Sequence, residues 1–324
     1  MRHDAAAPLP TIDAGRRWAV ILAGGEGSRL RPLTRVLAGD ERPKQYCRVL
    51  GRETLLDQTR RRVALAVSPL RTLVVVTRHH EPFYREVLGD LPPHALVVQP
   101  ANRGTAAGIL YPLLRLEAVT TDDAVAIVPS DHYVSDDARF MGHVQAAFEA
   151  VRARPALTVL LGIRPDRPEP EYGWIEPGPA VLPVARPWPL LVSTVRRFWE
   201  KPGADHARAL EARGCLWNSF VMVARVATLV ALVRETLPEL HAALAAARPA
   251  FDRVGEFRAV ERAYAHLRGE DFSRQVLAAR PDRLAVLPVS GVTWNDLGDP
   301  GRVVATRRAV ERWAIDAGHL AVAR

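Results

Sequence analysis

Apolar runs and helical spacings alternate through the first half of the chain. Trp18 to Ala23 (WAVILA) is a continuous apolar run, as a strand buried on both faces requires. From Leu55, LLDQTRRRVALAV returns to helical spacing. Leu73 to Thr77 reads as a second buried strand, Glu81 to Leu88 as a helix, and Ala95 to Val98 as a third strand. Thr105 to Val119 keeps helical spacing across Pro112. Ala124 to Val128 is a fourth strand that runs into PSDH, followed by a helix over Ala138 to Arg152 and a strand over Leu157 to Gly162. This alternation predicts an α/β fold: a doubly wound, mostly parallel, Rossmann-like sheet with helices on both faces and ligands at the carboxyl ends of the strands.

After about residue 163 the pattern changes. Proline thickens over residues 165–189, which predicts loops and edge strands and hence a smaller antiparallel portion. Val192 to Trp199 alternates like an antiparallel strand. Helical spacing returns at Ala204 to Arg213 and through Ala227 to Ala247. Leu284 to Pro288 is a last strand, and the final helix starts near Pro300. Residues 1–16, with Pro8, Pro10 and Gly15 and no periodicity, read as a flexible tail. The remainder, 17–324, reads as one domain in two parts, about 17–162 and about 163–310.

Composition narrows the class. Hydrophobic residues at 48% and charged at 25% are ordinary globular values. The two cysteines, Cys47 and Cys215, lie far apart, form no CxxC and read as structural, which fits a reducing compartment. No apolar run has the ~20 residues of a membrane helix, and the N-terminus lacks the apolar core of a signal peptide. The cytoplasm is the expected compartment. The net charge of +8 raises nucleic acid as a partner, but the arginines are spread along the chain and only Arg60, Arg61 and Arg62 form a run. A nucleic-acid binder shows a clustered basic face, so no nucleic-acid partner is expected.

Of the 44 basic residues only Lys44 and Lys201 are lysine, and only Asn102, Asn218 and Asn295 are asparagine. A GC-rich gene accounts for the bias, and the five exceptions mark segments worth reading closely. LAGGEGSRLRPLTR, residues 22–35, directly follows the first strand. Its glycines, Gly24, Gly25 and Gly27, admit backbone shapes closed to other residues and bring N–H groups close to an anion. It lacks the GK[ST] ending of a Walker A loop. Leu30 stands where a dinucleotide fingerprint needs its third glycine. Arg29 adds a cationic fork for phosphate oxygens. RPKQY, residues 42–46, supplies Lys44, a point charge suited to a triphosphate. Asp131 in PSDHYV stands at a strand end, where one or two carboxylates hold Mg2+ against phosphate oxygens. Asp136 and Asp137 read as helix caps, and so does Asp299 before Pro300.

GGEGSRLRPLT followed by RPKQY resembles the sugar-phosphate nucleotidyltransferases, and RPKQY is most similar to their mannose-1-phosphate guanylyltransferase branch. The resemblance runs from about residue 18 to 305 and implies a nucleotidyltransferase sheet that joins a nucleoside triphosphate to a sugar 1-phosphate and releases pyrophosphate with Mg2+. It implies roles for particular residues. Leu22, Ala23, Gly24, Gly25 and Gly27 would hold the nucleotide. QPANRGTAAGI would wrap its base through Gln99, Asn102, Gly104 and Thr105. Gly173 and Glu176 of EYGWIEPG, Glu200 of FWEKPG and Asn218 of WNSFVMVAR would hold the sugar. Lys201 would hold the sugar phosphate, Arg29 and Lys44 would face the pyrophosphate, and Asp131 and Asp296 would carry the metal. The chain departs from the family pattern twice. Gly104 stands where RNTA has asparagine, and Phe220 where glycine usually follows the serine.

The expected activity is guanylyl transfer from GTP to mannose 1-phosphate, giving GDP-mannose. The alternatives are another base and sugar, such as dTTP or UTP with glucose 1-phosphate, and a catalytically silent sugar-nucleotide-binding regulator. The latter has no need of intact Asp131, Asp296, Lys44 and Lys201. The chain stops where the catalytic core should end, so a second activity is not expected, and a homodimer is compatible with this reading. Both lysines and all three asparagines fall inside segments the resemblance assigns to nucleotide, sugar, phosphate or metal.

Overall fold

Four parallel strands form one half of the main sheet. They are β1 (Arg17–Leu22), β2 (Thr72–Thr77), β3 (Leu96–Gln99) and β4 (Ala124–Pro129), in the spatial order β3-β2-β1-β4. The structure, a computed structural model, describes residues 16–322 except Thr121 and Arg186, and side chains as far as Glu311. All but the last residue of the predicted tail therefore lie outside the described residues. The remaining strands are β5 (Tyr133–Val134), β6 (Thr158–Ile163), β7 (Gly173–Val184), β8 (Leu190–Glu200), β9 (Leu216–Arg225), β10 (Leu284–Val289) and β11 (Trp294–Asn295). The main sheet continues from β4 as β9-β6-β10-β8-β7.

Strand β9 runs antiparallel between β4 and β6, and β6 and β10 form a second parallel pair. The antiparallel portion is β7, β8 and β9, a long curled ribbon with register shifts around Pro177. Proline there removes ladder donors, which suits the sheet edge. The expected doubly wound sheet is present, and its mixed centre comes from β9, whose WNSFVMVAR carries a motif and a strand at once.

The ten α-helices among the described residues are α1 (Arg31–Ala38), α2 (Leu55–Val63), α3 (Glu81–Leu88), α4 (Gly104–Glu117), α5 (Asp137–Ala153), α6 (Ala204–Ala212), α7 (Val226–Thr236), α8 (Pro238–Ala245), α9 (Glu256–Ala265) and α10 (Pro300–Val322). The predicted helix over 227–247 is two helices, because Pro238 can start a helix but not continue one. Alternate residues of β1 show that both faces are covered. Ala19 and Ile21 pack with Leu56, Tyr84 and Val144 of α2, α3 and α5. Val20 packs with Ile109, Leu110 and Leu229 of α4 and α7. Each face buries apolar surface worth roughly 25 cal/mol per Å2, which is why the strands are apolar throughout. No helix among the described residues is long and apolar enough to cross a membrane.

The basic run at residues 60–62 is taken up by ion pairs. Arg60 meets Asp90 at 2.6 Å, Arg61 meets Glu53 at 3.3 Å, and Arg62 meets Asp137 at 2.6 Å. Asp136 accepts from the Arg139 amide and caps α5. Both cysteines are free and buried, and burial pushes both thiols up, away from reactivity.

Candidate active site

The glycine-rich loop follows β1, and its carbonyls are turned into the protein. Gln45 Nε2 donates to Ala23 O (2.9 Å) and Gly25 O (2.8 Å), Tyr46 Oη donates to Ala23 O (2.7 Å), and Thr77 Oγ1 donates to Gly24 O (2.9 Å). In a trans peptide the next residue's N–H points opposite to the carbonyl. The amides of residues 24–26 are therefore aimed away from these donors, which is the arrangement an anion needs. This is what the KQY segment does here: Gln45 and Tyr46 clamp the loop, and they are as buried as the core. Gly27, at φ +58, packs 3.2 Å from the Lys44 amide, measured from where its Cβ would stand. Arg29 is exposed at the rim, where it pairs with Glu171 at 3.0 Å.

A cleft of about 370 Å3 opens beside the loop, lined by Leu22, Gly24, Gly25, Gln99, Asn102, Gly104 and Thr105, and also by Gly269, Glu270 and Asp271. Gln99 is held in place because its Oε1 accepts from Tyr264 Oη at 3.1 Å. A Cβ on Gly24 would stand 2.6 Å from Gln99 Nε2, so only glycine allows this approach. The Thr105 hydroxyl does not cap its own helix; it accepts from the Phe272 amide at 2.8 Å.

The two proposed metal carboxylates are joined by a two-stranded sheet that the hydrophobic pattern did not reveal. Strands β5 and β11 pair antiparallel with Asn295 opposite Tyr133, so Asp296 comes level with His132, next to Asp131. Lys44 closes the group. Its ammonium lies 3.3 Å from Asp131 Oδ2 and donates to the carbonyls of Asp296 and Leu297. Asp296 Oδ1 accepts from Arg302 Nη1 (2.8 Å), Gly298 N (2.9 Å) and Tyr172 Oη (3.2 Å). Burial alone would push the Asp296 carboxyl up, but the fields of His132, Lys44 and Arg302 hold it below the usual carboxylate range. His132 is pushed down by burial and packs edge-on against Trp294 at 5.1 Å. Two carboxylates on separate elements offer hard oxygen donors, which fit Mg2+ better than a softer ion.

A third group of residues sits where β7, β8 and β9 meet. A Cβ on Gly173 would lie 2.9 Å from Glu200 Oε2 and 3.3 Å from Asn218 Cβ, so these three residues share one face. Burial and then the Asp271 carboxylate push Glu200 up to about 6, against Lys201, Arg274 and the Ser273 hydroxyl. Lys201 is exposed and left-handed, at φ 50, with its amide on Tyr172 O at 3.2 Å. Glu176 does not join this group. It is three residues beyond Gly173, so the strand turns it to the opposite face, where it pairs with Arg213 (3.5 Å) and Arg196 (3.8 Å).

The asparagines have a use the sequence reading did not assign. Each accepts, through Oδ1, the amide of the residue two positions on. Asn102 accepts from Gly104 (3.0 Å), Asn218 from Phe220 (3.0 Å) and Asn295 from Leu297 (2.8 Å). All three held residues have positive φ, at 83°, 58° and 52°. Short amide side chains hold such turns well. Tyr172, Arg302, Tyr264 and the 269–273 segment were missed. Tyr172 sits inside EYGWIEPG, but that motif pointed to Gly173 and Glu176, and only the fold brings the four to the site.

A chain with a glycine-rich anion loop, paired carboxylates and a polar corner at one sheet's edge is built to handle phosphate esters. It belongs to the nucleotidyl transferase family, whose model matches residues 18–311. Among similar proteins, the mannose-1-phosphate guanylyltransferase ManC of Salmonella typhimurium is 31% identical over 287 residues, 87% of this chain and 57% of ManC. The alginate biosynthesis protein AlgA of Pseudomonas aeruginosa is 30% identical over 285 residues, 86% of this chain and 56% of AlgA. The chain thus spans little more than half the length of these relatives. A solved structure described as mannose-1-phosphate geranyltransferase of Thermus thermophilus matches with a TM-score of 0.72 and 31% identity, over 87% of this chain and 76% of that one.

Proposed function

We propose that the chain transfers a guanylyl group from GTP to mannose 1-phosphate, forming GDP-mannose and pyrophosphate. The observation that carries the reading is the order of parts along one edge of the sheet. A base cleft at Gln99 and Gly104 is followed by the anion loop, the Lys44–Asp131–Asp296 group and the corner at Gly173, Glu200 and Asn218. The name of the ManC relative, mannose-1-phosphate guanylyltransferase, supports guanine and mannose over other pairs.

In this reading a sugar-phosphate oxygen attacks the α-phosphorus in line, and pyrophosphate leaves with the electron pair of the broken P–O bond. The attacking oxygen is already ionised, so no general base is required. The protein's work is to position reactants and neutralise charge. Loop amides 24–26 and Arg29 receive the triphosphate, Lys201 receives the sugar phosphate, and Glu200 and Asn218 receive sugar hydroxyls. Asp131 and Asp296 would hold Mg2+, positioned by Lys44, Arg302 and Tyr172. The ion, when bound, offsets the charge gathered on both phosphates. Pyrophosphate release measured over a grid of nucleoside triphosphates and sugar 1-phosphates tests the reading. The highest kcat/KM is expected for GTP with mannose 1-phosphate; a maximum at dTTP or UTP with glucose 1-phosphate would replace it.

A further inference from the structure

The cleft has one wall that the sequence motifs did not supply. Segment 270–272 is laced to the start of α4 by three hydrogen bonds. Glu270 N donates to Arg103 O (3.1 Å), Ala106 N to Glu270 O (3.1 Å), and Phe272 N to Thr105 Oγ1 (2.8 Å). This approach is open only to glycine at position 104: a Cβ there would stand 2.2 Å from Glu270 O, and φ is +83°. From the other side the buried Phe272 ring meets Phe220 edge-on at 6.4 Å. Gly104 and Phe220 therefore meet on the same short segment.

We propose that Glu270 reads the nucleobase, accepting from the adjacent N1–H and N2–H2 donors of guanine. This deepens the guanylyl reading and rests on it. Gln99 has its Oε1 engaged by Tyr264, so it offers the cleft chiefly its Nε2 donor. A donor alone cannot tell guanine O6 from uracil or thymine O4. A carboxylate is acceptor-only, and guanine is the one common base with two adjacent donors on its pairing edge. Glu270 lines the cleft, and Gln275 Nε2 holds its Oε2, which fixes the carboxylate's orientation. Its backbone is fixed at both N–H and C=O, so the side chain starts from a rigid point. The carboxylate of Asp271, next along, raises Glu200, so the same segment borders both the base and the sugar corner.

The test compares kcat/KM for GTP and for inosine triphosphate, which lacks the N2 amino group, in the full chain and its variants. Wild type is expected to favour GTP. Glu270→Gln replaces one acceptor by a donor, and kcat/KM for GTP should fall about 100-fold, the upper range for a hydrogen bond to a charged group. The ratio of GTP to inosine triphosphate should fall toward one. Glu270→Asp keeps the charge but shortens the reach, and should show the same fall in ratio with the fold undisturbed by thermal melting. Gly104→Ala should also erode the ratio by pushing the segment away. A wild type that favours GTP, with both Glu270 variants keeping the wild-type ratio, overturns the Glu270 assignment alone. A wild type that favours UTP or dTTP overturns the guanylyl reading, and the Glu270 assignment falls with it.

Discussion

The two halves of the cleft make their tight turns by different means. Up to residue 200, the described residues with positive φ are glycines: Gly27, Gly39, Gly51 and Gly104. Beyond it, Gly214, Gly255 and Gly291 are joined by Lys201, Phe220, Asp252 and Leu297, four residues that adopt the same left-handed backbone while carrying side chains. Each costs roughly 1–2 kcal/mol relative to ordinary backbone. Three of the four lie at the proposed site: Lys201 itself, Phe220 two residues after Asn218, and Leu297 one after Asp296. In the proposed reading, the half around the glycine loop uses residues with no side chain so that main-chain amides can reach an anion. The other half forces the main chain where side chains are proposed to face the reactants, and it holds the strain with Asn218, Asn295 and the Tyr172 carbonyl.

The largest effect is expected at the metal end of the strained half. Asp296→Ala removes the carboxylate on which Arg302, Tyr172 and the Gly298 amide converge. Mg2+-dependent pyrophosphate release should fall by about 10^3 or more, in line with losing a principal electrostatic stabiliser of the transition state. Circular dichroism should show the fold retained, because the sheet does not depend on this side chain. Turnover at the wild-type level in a folded variant would mean that the strained half serves structure alone.

This difference between the halves also explains what could be read from sequence. The parallel strands were legible because burial on both faces leaves an apolar run, as in Trp18 to Ala23 and Leu73 to Thr77. The glycine loop was legible because glycine announces its own purpose. Lys44 stood out by the scarcity of lysine, yet its partners, Asp131 and the Asp296 and Leu297 carbonyls, come together only through the two-residue pairing of β5 with β11. Pairing between strands so distant in sequence leaves no local periodicity. Glu176 was misread for a related reason: strand parity decides its face, and proline around it blurs the alternation. Glu270 had no local signal at all, since its place depends on Gly104 yielding space.

A smaller effect probes Glu200. Its carboxyl titrates at about 6, raised first by burial and then by Asp271, with Lys201, Arg274 and Ser273 opposing. In the proposed role it accepts from sugar hydroxyls above that pH; as pH falls through it, the acceptor is protonated. KM for the sugar 1-phosphate should therefore climb as pH drops below about 6, approaching tenfold per unit. The substrate phosphate has its own titration near pH ~6, so the comparison is with Glu200→Gln. That variant should have a raised KM at pH ~7, above the carboxyl's own titration, and show only the substrate's part of the climb. Parallel profiles for the two proteins would remove Glu200 from the sugar corner.

The smallest effect separates the halves most cleanly, because it sets two asparagines doing the same task against each other. Asn102 and Asn295 each accept the amide two residues on, at 3.0 Å and 2.8 Å. Asn102 holds Gly104, for which φ +83 is unstrained; Asn295 holds Leu297, for which φ +52 is not. Leu297 is also fully buried, in a small cluster with Leu30, Cys47, Leu55 and Val303 that floors the Lys44 site. Changing either asparagine to alanine loses one hydrogen bond, about 1 kcal/mol. At Asn295 the leucine must in addition keep its strained backbone without help or withdraw from its cluster. Chemical denaturation should therefore find Asn295→Ala less stable than Asn102→Ala by about 1 kcal/mol or more. Asn295→Ala should also weaken Mg2+ dependence, since Asp296 lies inside the turn that has been released. Equal losses in the two variants would mean that the left-handed leucine is held by its packing, and that the asparagine beside it is not what maintains the strain.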